Sequence, residues 1–269
     1  DRLNRFPYHV NSEGLYEDRI GAGVFFVWEL YRPLCRGATC VVIPDHVLFD
    51  PEAVTKFVQS YAITRILFTP SLMQLIHDTL DAATIQARFD TLRYLWFCGE
   101  VVSTDLALAT TKVLPKVELM NLYSISECHD VSIGDLKREL DLSRKYATCG
   151  KQIPGVEFYI VNLESPTMAL VPPGETGEVY VGGPVVGRGY LNMPDKTAER
   201  FVPNPFSTDP TFGRLYRTGD LGRLLPNGHL EILGRCDFMV KIRGYSVVLG
   251  AIERPWPNIP NCRVPSSWR

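Results

Sequence analysis

A chain of 269 residues with 45% hydrophobic content holds enough apolar material for one large core or two moderate ones. Acidic and basic residues nearly cancel, to a formal charge of −2, and with no Lys/Arg block nothing favours nucleic acid or an anionic membrane, which leaves a small molecule as the expected partner. No apolar run approaches the roughly 20 residues that span a bilayer, and the opening Asp1-Arg2-Leu3-Asn4-Arg5 lacks the apolar segment of a secretory signal, so a soluble, cytoplasmic protein is the default expectation.

In chain order, Val41-Val42-Ile43-Pro44 reads as a strand. Asp50 and Pro51 start a helix in which Val54, Phe57, Val58 and Tyr61 recur on one face. Ile63 to Phe68 is a buried strand, and Thr69-Pro70 opens a helix with Leu72, Leu75 and Ile76 inward. Leu92 to Phe97 is another strand, Ser103 caps a helix running to Leu114, and Val117 to Met120 is a third strand. This alternation predicts an α/β subdomain over residues 1–150, a parallel sheet with flanking helices. Ligands of such sheets bind beyond the carboxyl ends of the strands. Here those ends are Phe68-Thr69, Phe97-Cys98-Gly99-Glu100 and Asn121-Leu122-Tyr123.

Past Gly150 the texture becomes Gly-rich with short strands, at Val156 to Val161, Glu178 to Val181 and Leu215 to Arg217. Pro226-Asn227-Gly228 separates two apolar runs, Leu221 to Leu225 and Leu230 to Leu233, as a hairpin turn would. Residues 151–233 therefore read as a small β-barrel-like or β-layer subdomain with one short helix, Pro194 to Phe201. The seven cysteines form no Cys-x-x-Cys pair, which argues against a disulfide scaffold or a zinc ribbon. Cys128-His129-Asp130 are adjacent and cannot easily turn three side chains onto one ion.

Two strings near the end of the chain are specific: Tyr216-Arg217-Thr218-Gly219-Asp220, and Arg235 within the run from Leu233 to Tyr245. Together they resemble adenylate-forming enzymes, most closely the amino-acid adenylation domains of nonribosomal peptide synthetases. The resemblance implies that Asp220 binds the ribose hydroxyls of ATP, that residues 234–253 hold the hinge, Asp237, and the start of a truncated mobile C-terminal lobe, and that Arg235 and the catalytic Lys241 supply positive charge near the adenylate phosphate. Asn121-Leu122-Tyr123-Ser124-Ile125-Ser126-Glu127 is similar to a family segment with Gly and Thr where Ser124 and Ser126 stand. By that similarity Asn121 belongs to the nucleotide site, Tyr123 stacks on adenine, Ser126 contacts phosphate, and Glu127 holds Mg²⁺ and is catalytic. An aromatic face suits a purine and a carboxylate suits a hard cation that keeps its waters. Gly99-Glu100 matches the loop bordering adenine, and the segment from Gly174 to Gly183, continuing through Gly187-Arg188-Gly189-Tyr190-Leu191-Asn192, matches one that is largely architectural.

The acyl pocket implied by the resemblance is lined by Val24, Phe25, Trp28, Leu67, Trp96, Cys98, Leu122, Asp130 and Val131. Amino-acid-activating members carry an Asp where Val24 stands, and a valine cannot neutralise an ammonium. Either the substrate has no α-amine, as an aryl or other carboxylic acid would not, or a more distant amine meets Asp130. A phosphate loop with its Lys and the catalytic lysine of the C-terminal lobe have no counterpart in this sequence, and residues 254–269 lose the pattern, so the isolated chain is expected to be inactive or severely impaired. The leading reading is a fragment of an ATP- and Mg²⁺-dependent adenylation domain. Such a domain activates a carboxylic or amino acid for transfer to the thiol of a phosphopantetheinyl carrier domain. An acyl- or aryl-CoA ligase fragment, using CoA as acceptor, and a non-catalytic nucleotide-binding or interaction module remain as alternatives.

Overall fold

The computed structural model of the chain describes residues 2–236 together with the strands at 239–242 and 245–248. Before the last parallel strand the chain forms helices α1 (Arg2–Arg5), α2 (Phe26–Leu34), α3 (Asp45–Leu48), α4 (Pro51–Ser60), α5 (Pro70–Thr79), α6 (Ala82–Arg88) and α7 (Thr104–Val113). The strands of this half are β1 (Arg19–Ala22), β2 (Thr39–Val42), β3 (Arg65–Phe68), β4 (Tyr94–Cys98), β5 (Glu118–Ile125), β6 (His129–Asp135) and β7 (Lys151–Gln152). They make one seven-stranded sheet in the order β2-β1-β3-β4-β5-β6-β7. Pairings from β2 to β5 are parallel, and β6 and β7 add antiparallel.

The helices start where their caps dictate. Asp50 accepts from the Ala53 amide at 2.9 Å, with Pro51 in the first turn of α4. Thr69 Oγ1 accepts from Leu72 at 3.3 Å at the start of α5, and Ser103 Oγ accepts from Leu106 at 3.2 Å at the start of α7. Each cap satisfies an amide that has no partner within its helix. Between these helices and the sheet lies a core that includes Ile66, Phe68, Met73, Leu95, Phe97 and Leu119, all essentially inaccessible to solvent. Burial of each such side chain is worth about 1.5–3 kcal/mol, which fixes the register of β3, β4 and β5 and so the position of their carboxyl ends.

The second half contributes β8 (Glu157–Val161), β9 (Gly177–Gly182), α8 (Pro194–Arg200), β10 (Phe201–Pro203), β11 (Arg214–Leu224) and β12 (Leu230–Arg235), followed by the hairpin β13 (Met239–Ile242) and β14 (Tyr245–Val248). β10-β11-β9-β8 is an antiparallel sheet, with β12 also paired to β11. The expected Asn227-Gly228 hairpin joins β11 to β12, with Gly228 at φ 80°. The two sheets meet where Cys149 N–H donates to Leu230 O at 2.7 Å and Leu230 N–H donates to Gly150 O at 2.9 Å. Gly150 has φ 70°, and a Cβ there would lie 2.1 Å from Ile133 O, so only glycine permits this junction. A second apolar cluster, including Trp96, Leu122, Tyr123, Val131, Val179 and Tyr216, fills the space between the sheets.

At the amino end, Arg65 is 2% exposed and lies over the rings of Tyr8 and Tyr94, at 4.9 and 4.4 Å from their centroids. Its Nη1 donates to Phe6 O at 2.8 Å and its Nη2 pairs with Asp18 at 3.0 Å. That buried cation ties residues 6–9 to the sheet. Among the described residues no helix is long and apolar enough to cross a membrane.

Candidate functional site

A cavity of about 970 Å³ opens at the carboxyl ends of β4 and β5, closed on its other sides by β11, β12 and α8. Its lining includes Gly99, Glu100, Asn121, Leu122, Tyr123, Ser126, Glu127, Asp220 and Arg235, so the crevice expected from the parallel-strand topology and the nucleotide residues expected from the motifs coincide.

Asp220 lies within the long strand β11, at a break in register between Arg217 and Leu221. Gly219 there has φ 74°, and a Cβ would come within 2.8 Å of Arg235 Nη2. The bulge turns the Asp220 carboxylate inward. Arg235 faces it across the ladder, and its Nη1 donates to Asp220 Oδ1 at 2.8 Å and to Thr218 O at 3.0 Å. Tyr123, 9% exposed on β5, donates its hydroxyl to Asp220 Oδ2 at 2.5 Å. Burial first, and the Asp220 charge second, push the Tyr123 pKa well above its ordinary 10.0. The phenol therefore stays protonated and donates at all physiological pH values.

Glu127 follows β5 in a turn closed by Cys128 N–H donating to Ile125 O at 3.0 Å. Tyr190 donates its hydroxyl to Glu127 Oε1 at 2.6 Å, with the Tyr216 hydroxyl 3.3 Å from that of Tyr190. Asn121, 2% exposed, spends its amide on Thr148 O at 3.0 Å and so braces the junction of the two sheets. Ser126 is exposed at the cavity mouth. Gly99, at φ 89°, carries the Phe25 ring directly above it, 2.8 Å from where a Cβ would sit. The Glu100 carboxylate accepts from the Ser71 amide at 3.0 Å and hydroxyl at 2.9 Å, which locks the loop after β4 to the first turn of α5.

The expected acyl lining divides. Phe25 and Leu122 face the cavity, whereas Leu67, Trp96, Cys98 and Val131 form the buried apolar layer with Leu122. Val24 packs with the helix-side core instead. Asp130, 5% exposed, receives Arg32 Nη2 at 2.7 Å, and Arg32 also reaches Glu29 at 3.5 Å. A substrate amine would have to displace that guanidinium. The Trp28 side chain and Asp237 lie outside the described residues, as does the side chain of Lys241, whose backbone belongs to β13 opposite Ser246.

Sequence reasoning missed Tyr190, Tyr216, Lys196, Glu199 and Arg200 as cavity residues. Tyr216 lay inside a quoted motif and Tyr190 inside a segment read as architectural, but nothing local pointed either ring at Glu127. Among the described residues no group of three or more His, Cys, Asp or Glu side chains is placed to hold a metal ion. A single carboxylate, Glu127, does suit Mg²⁺ that arrives with a nucleotide and keeps phosphate oxygens and waters as its other ligands.

Comparison with known proteins follows the same geometry. A family model described as AMP-binding enzyme matches residues 22–191. The chain is 44% identical over 236 residues to a glycine betaine reductase, ATRR, of Emericella nidulans, a match covering 88% of this chain and 18% of that protein. It superimposes with a TM-score of 0.77 and 26% identity on the Vibrio cholerae adenylation domain AlmE in complex with glycyl-adenosine-5'-phosphate, covering 98% of this chain and 48% of that one. A nonribosomal peptide synthetase protein containing adenylation and PCP domains gives a TM-score of 0.76 at 25% identity, covering 90% and 48%. The chain thus spans about a fifth of the curated relative, 18%, and about half, 48%, of these solved chains.

Proposed function

The chain belongs to the AMP-binding enzyme family, and from that premise we propose that its full-length protein activates a carboxylic acid with ATP and hands the acyl group to a carrier-domain thiol. One observation carries the proposal: Tyr123, Glu127, Asp220 and Arg235 border a single cavity at the strand ends. In the reaction a carboxylate oxygen attacks the α-phosphorus and pyrophosphate leaves; a thiolate then attacks the carbonyl carbon of the acyl adenylate, forming the thioester as AMP leaves. The Tyr123 ring offers its face to adenine, Asp220 accepts from the ribose diol, and Arg235 holds Asp220 in place while adding positive charge beside the sugar. Glu127 is the carboxylate suited to Mg²⁺, and the cation, when bound, would offset charge on the phosphates. The adenylation neighbour bound to glycyl-adenosine-5'-phosphate supports the adenylate step, and the neighbour containing a PCP domain supports a carrier thiol as acceptor.

For the acid, we infer a substrate with no N–H on its α-nitrogen, or no nitrogen at all. Val24 offers no carboxylate, Asp130 is already neutralised by Arg32, and Phe25, Leu122 and the Trp96 layer are aromatic or apolar. A quaternary ammonium needs no hydrogen-bond acceptor and is stabilised by aromatic faces. The relative's name, glycine betaine reductase, makes glycine betaine the first acid to try. ATP–pyrophosphate exchange by the full-length protein, run with glycine betaine, benzoate, glycine and larger α-amino acids, decides both points. Exchange with betaine or an aryl acid and little with amino acids is expected. Preference for an α-amino acid would refute the substrate class, and no exchange with any carboxylate would refute the function.

A further inference from the structure

The segment 187–190, which sequence alone presents as scaffolding, grips Glu127 at two points. Gly187 N–H donates to Glu127 O at 2.8 Å, and a Cβ at Gly187 would sit 2.9 Å from that oxygen, so the backbones are in direct contact. Tyr190 then reaches past them to place its hydroxyl 2.6 Å from Glu127 Oε1. The tyrosine is itself fixed. Its amide donates to Thr197 Oγ1 at 2.9 Å, Thr197 Oγ1 donates to Met193 O at 2.8 Å, and its ring meets Phe201 edge-on at 5.3 Å. Gly189, at φ 141°, lets the loop come so close to α8 that a Cβ would be 2.4 Å from Thr197 Cγ2. Packing against Phe201 needs only the ring, and a phenylalanine would fill that space. The hydroxyl has a different destination, a carboxylate on the wall of the cavity.

We propose that Tyr190 is the positioning residue for Glu127, holding one carboxylate oxygen so that the group is preset to meet the nucleotide-borne divalent cation. This rests on the reading of Glu127 as the cation's protein ligand. Carboxylate ligands are oriented by hydrogen bonds from a surrounding shell, and loss of such a partner weakens metal affinity about 10–100-fold. The other carboxylates of the cavity have partners of their own, Glu100 on Ser71, Asp220 on Tyr123 and Arg235, and Glu199 beside Arg200, so the orientation of Glu127 governs the site.

The test uses the full-length protein with AMP bound, Mn²⁺ as probe and free Mn²⁺ read by electron paramagnetic resonance. Metal-free AMP affinity and Tm are measured alongside. Tyr190→Phe is expected to weaken Mn²⁺ about tenfold while AMP affinity without metal stays within about twofold. Should Tyr190→Phe fail to fold, Thr197→Val, which removes the acceptor for the Tyr190 amide together with the hydroxyl's own bond to Met193 O, is expected to show the same selective loss at about threefold. Glu127→Gln separates the two layers. If it leaves Mn²⁺ affinity unchanged, the reading of Glu127 falls and the inference with it. If it abolishes Mn²⁺ binding while Tyr190→Phe or Thr197→Val binds Mn²⁺ as tightly as the native protein, the site stands and the positioning role is overturned. A Tyr190→Phe protein that loses AMP and Mn²⁺ affinity in equal proportion, with a fall in Tm, would likewise overturn it in favour of a purely structural role.

Discussion

Replacing Tyr123 by Phe should tighten nucleotide binding, although it deletes a hydrogen bond from the site. Both oxygens of Asp220 are engaged, Oδ2 by the Tyr123 hydroxyl at 2.5 Å and Oδ1 by Arg235 at 2.8 Å. A ribose diol that approaches Oδ2 from the cavity competes with the tyrosine hydroxyl for that oxygen. A hydrogen bond to a charged group is worth about 1.5–3 kcal/mol. Asp220 is 14% exposed, so water partly replaces the lost donor and the lower end, about 1.5 kcal/mol, applies. Phenylalanine keeps the ring face for adenine and removes the competition, which converts to about a tenfold lower Kd for AMP. Calorimetric titration of the full-length protein with AMP, native against Tyr123→Phe, measures it. An unchanged or raised Kd would show that the hydroxyl does not compete with ribose and refute the reasoning.

Three other outcomes follow from the same contacts. Asp130→Asn leaves Arg32 largely buried against Glu29 and should destabilise the protein by about 3 kcal/mol in denaturant unfolding; it should not change the ranking of acids in the exchange panel, because Asp130 serves Arg32 and not the substrate. Burial drives the Asp18 pKa up, but hydrogen bonds from the His9 amide, Arg65 and Thr64 outweigh it and hold the carboxyl below its ordinary 3.8. A depressed folded pKa means that the stability from Asp18 is complete above 3.8 and drains away as pH falls through the folded value. Asp18→Asn should accordingly lower Tm most at neutral pH and converge on the native protein in the acid limb; a constant difference across the pH range would contradict this. Burial pushes the thiols of Cys128 and Cys149 up to about 12, while Cys35 is exposed. Iodoacetamide at about pH 8 should label Cys35 and spare those two until the protein unfolds, as read by peptide mass spectrometry.

How much of this was legible in the sequence depends on whether a signal was local. β3, β4 and β5 showed as short apolar runs because they are buried on both faces, and their flanking helices announced themselves through Asp50, Thr69 and Ser103, which all cap in the structure. The Asn227-Gly228 hairpin and α8 were equally local. β1 was missed because it is four residues long and carries Gly21, where a Cβ would meet Ile66 Cδ1 at 3.1 Å. β6 was missed because it buries Asp130 and Ser132 among apolar residues and so breaks the alternation of a half-buried strand. The family strings located Tyr123, Glu127, Asp220 and Arg235. They said nothing of Arg32 meeting Asp130 across 98 residues, or of Tyr190 meeting Glu127 across 63, since such pairs exist only once the sheets have packed.

The most direct measurement is a structure of the full-length protein crystallised with AMP. Adenine should lie against the Tyr123 ring, the ribose diol within hydrogen-bond reach of Asp220, and the phosphate on the Glu127 side of the cavity. Nucleotide density elsewhere, with those side chains untouched, would contradict the assignment of the cavity as an adenylate site.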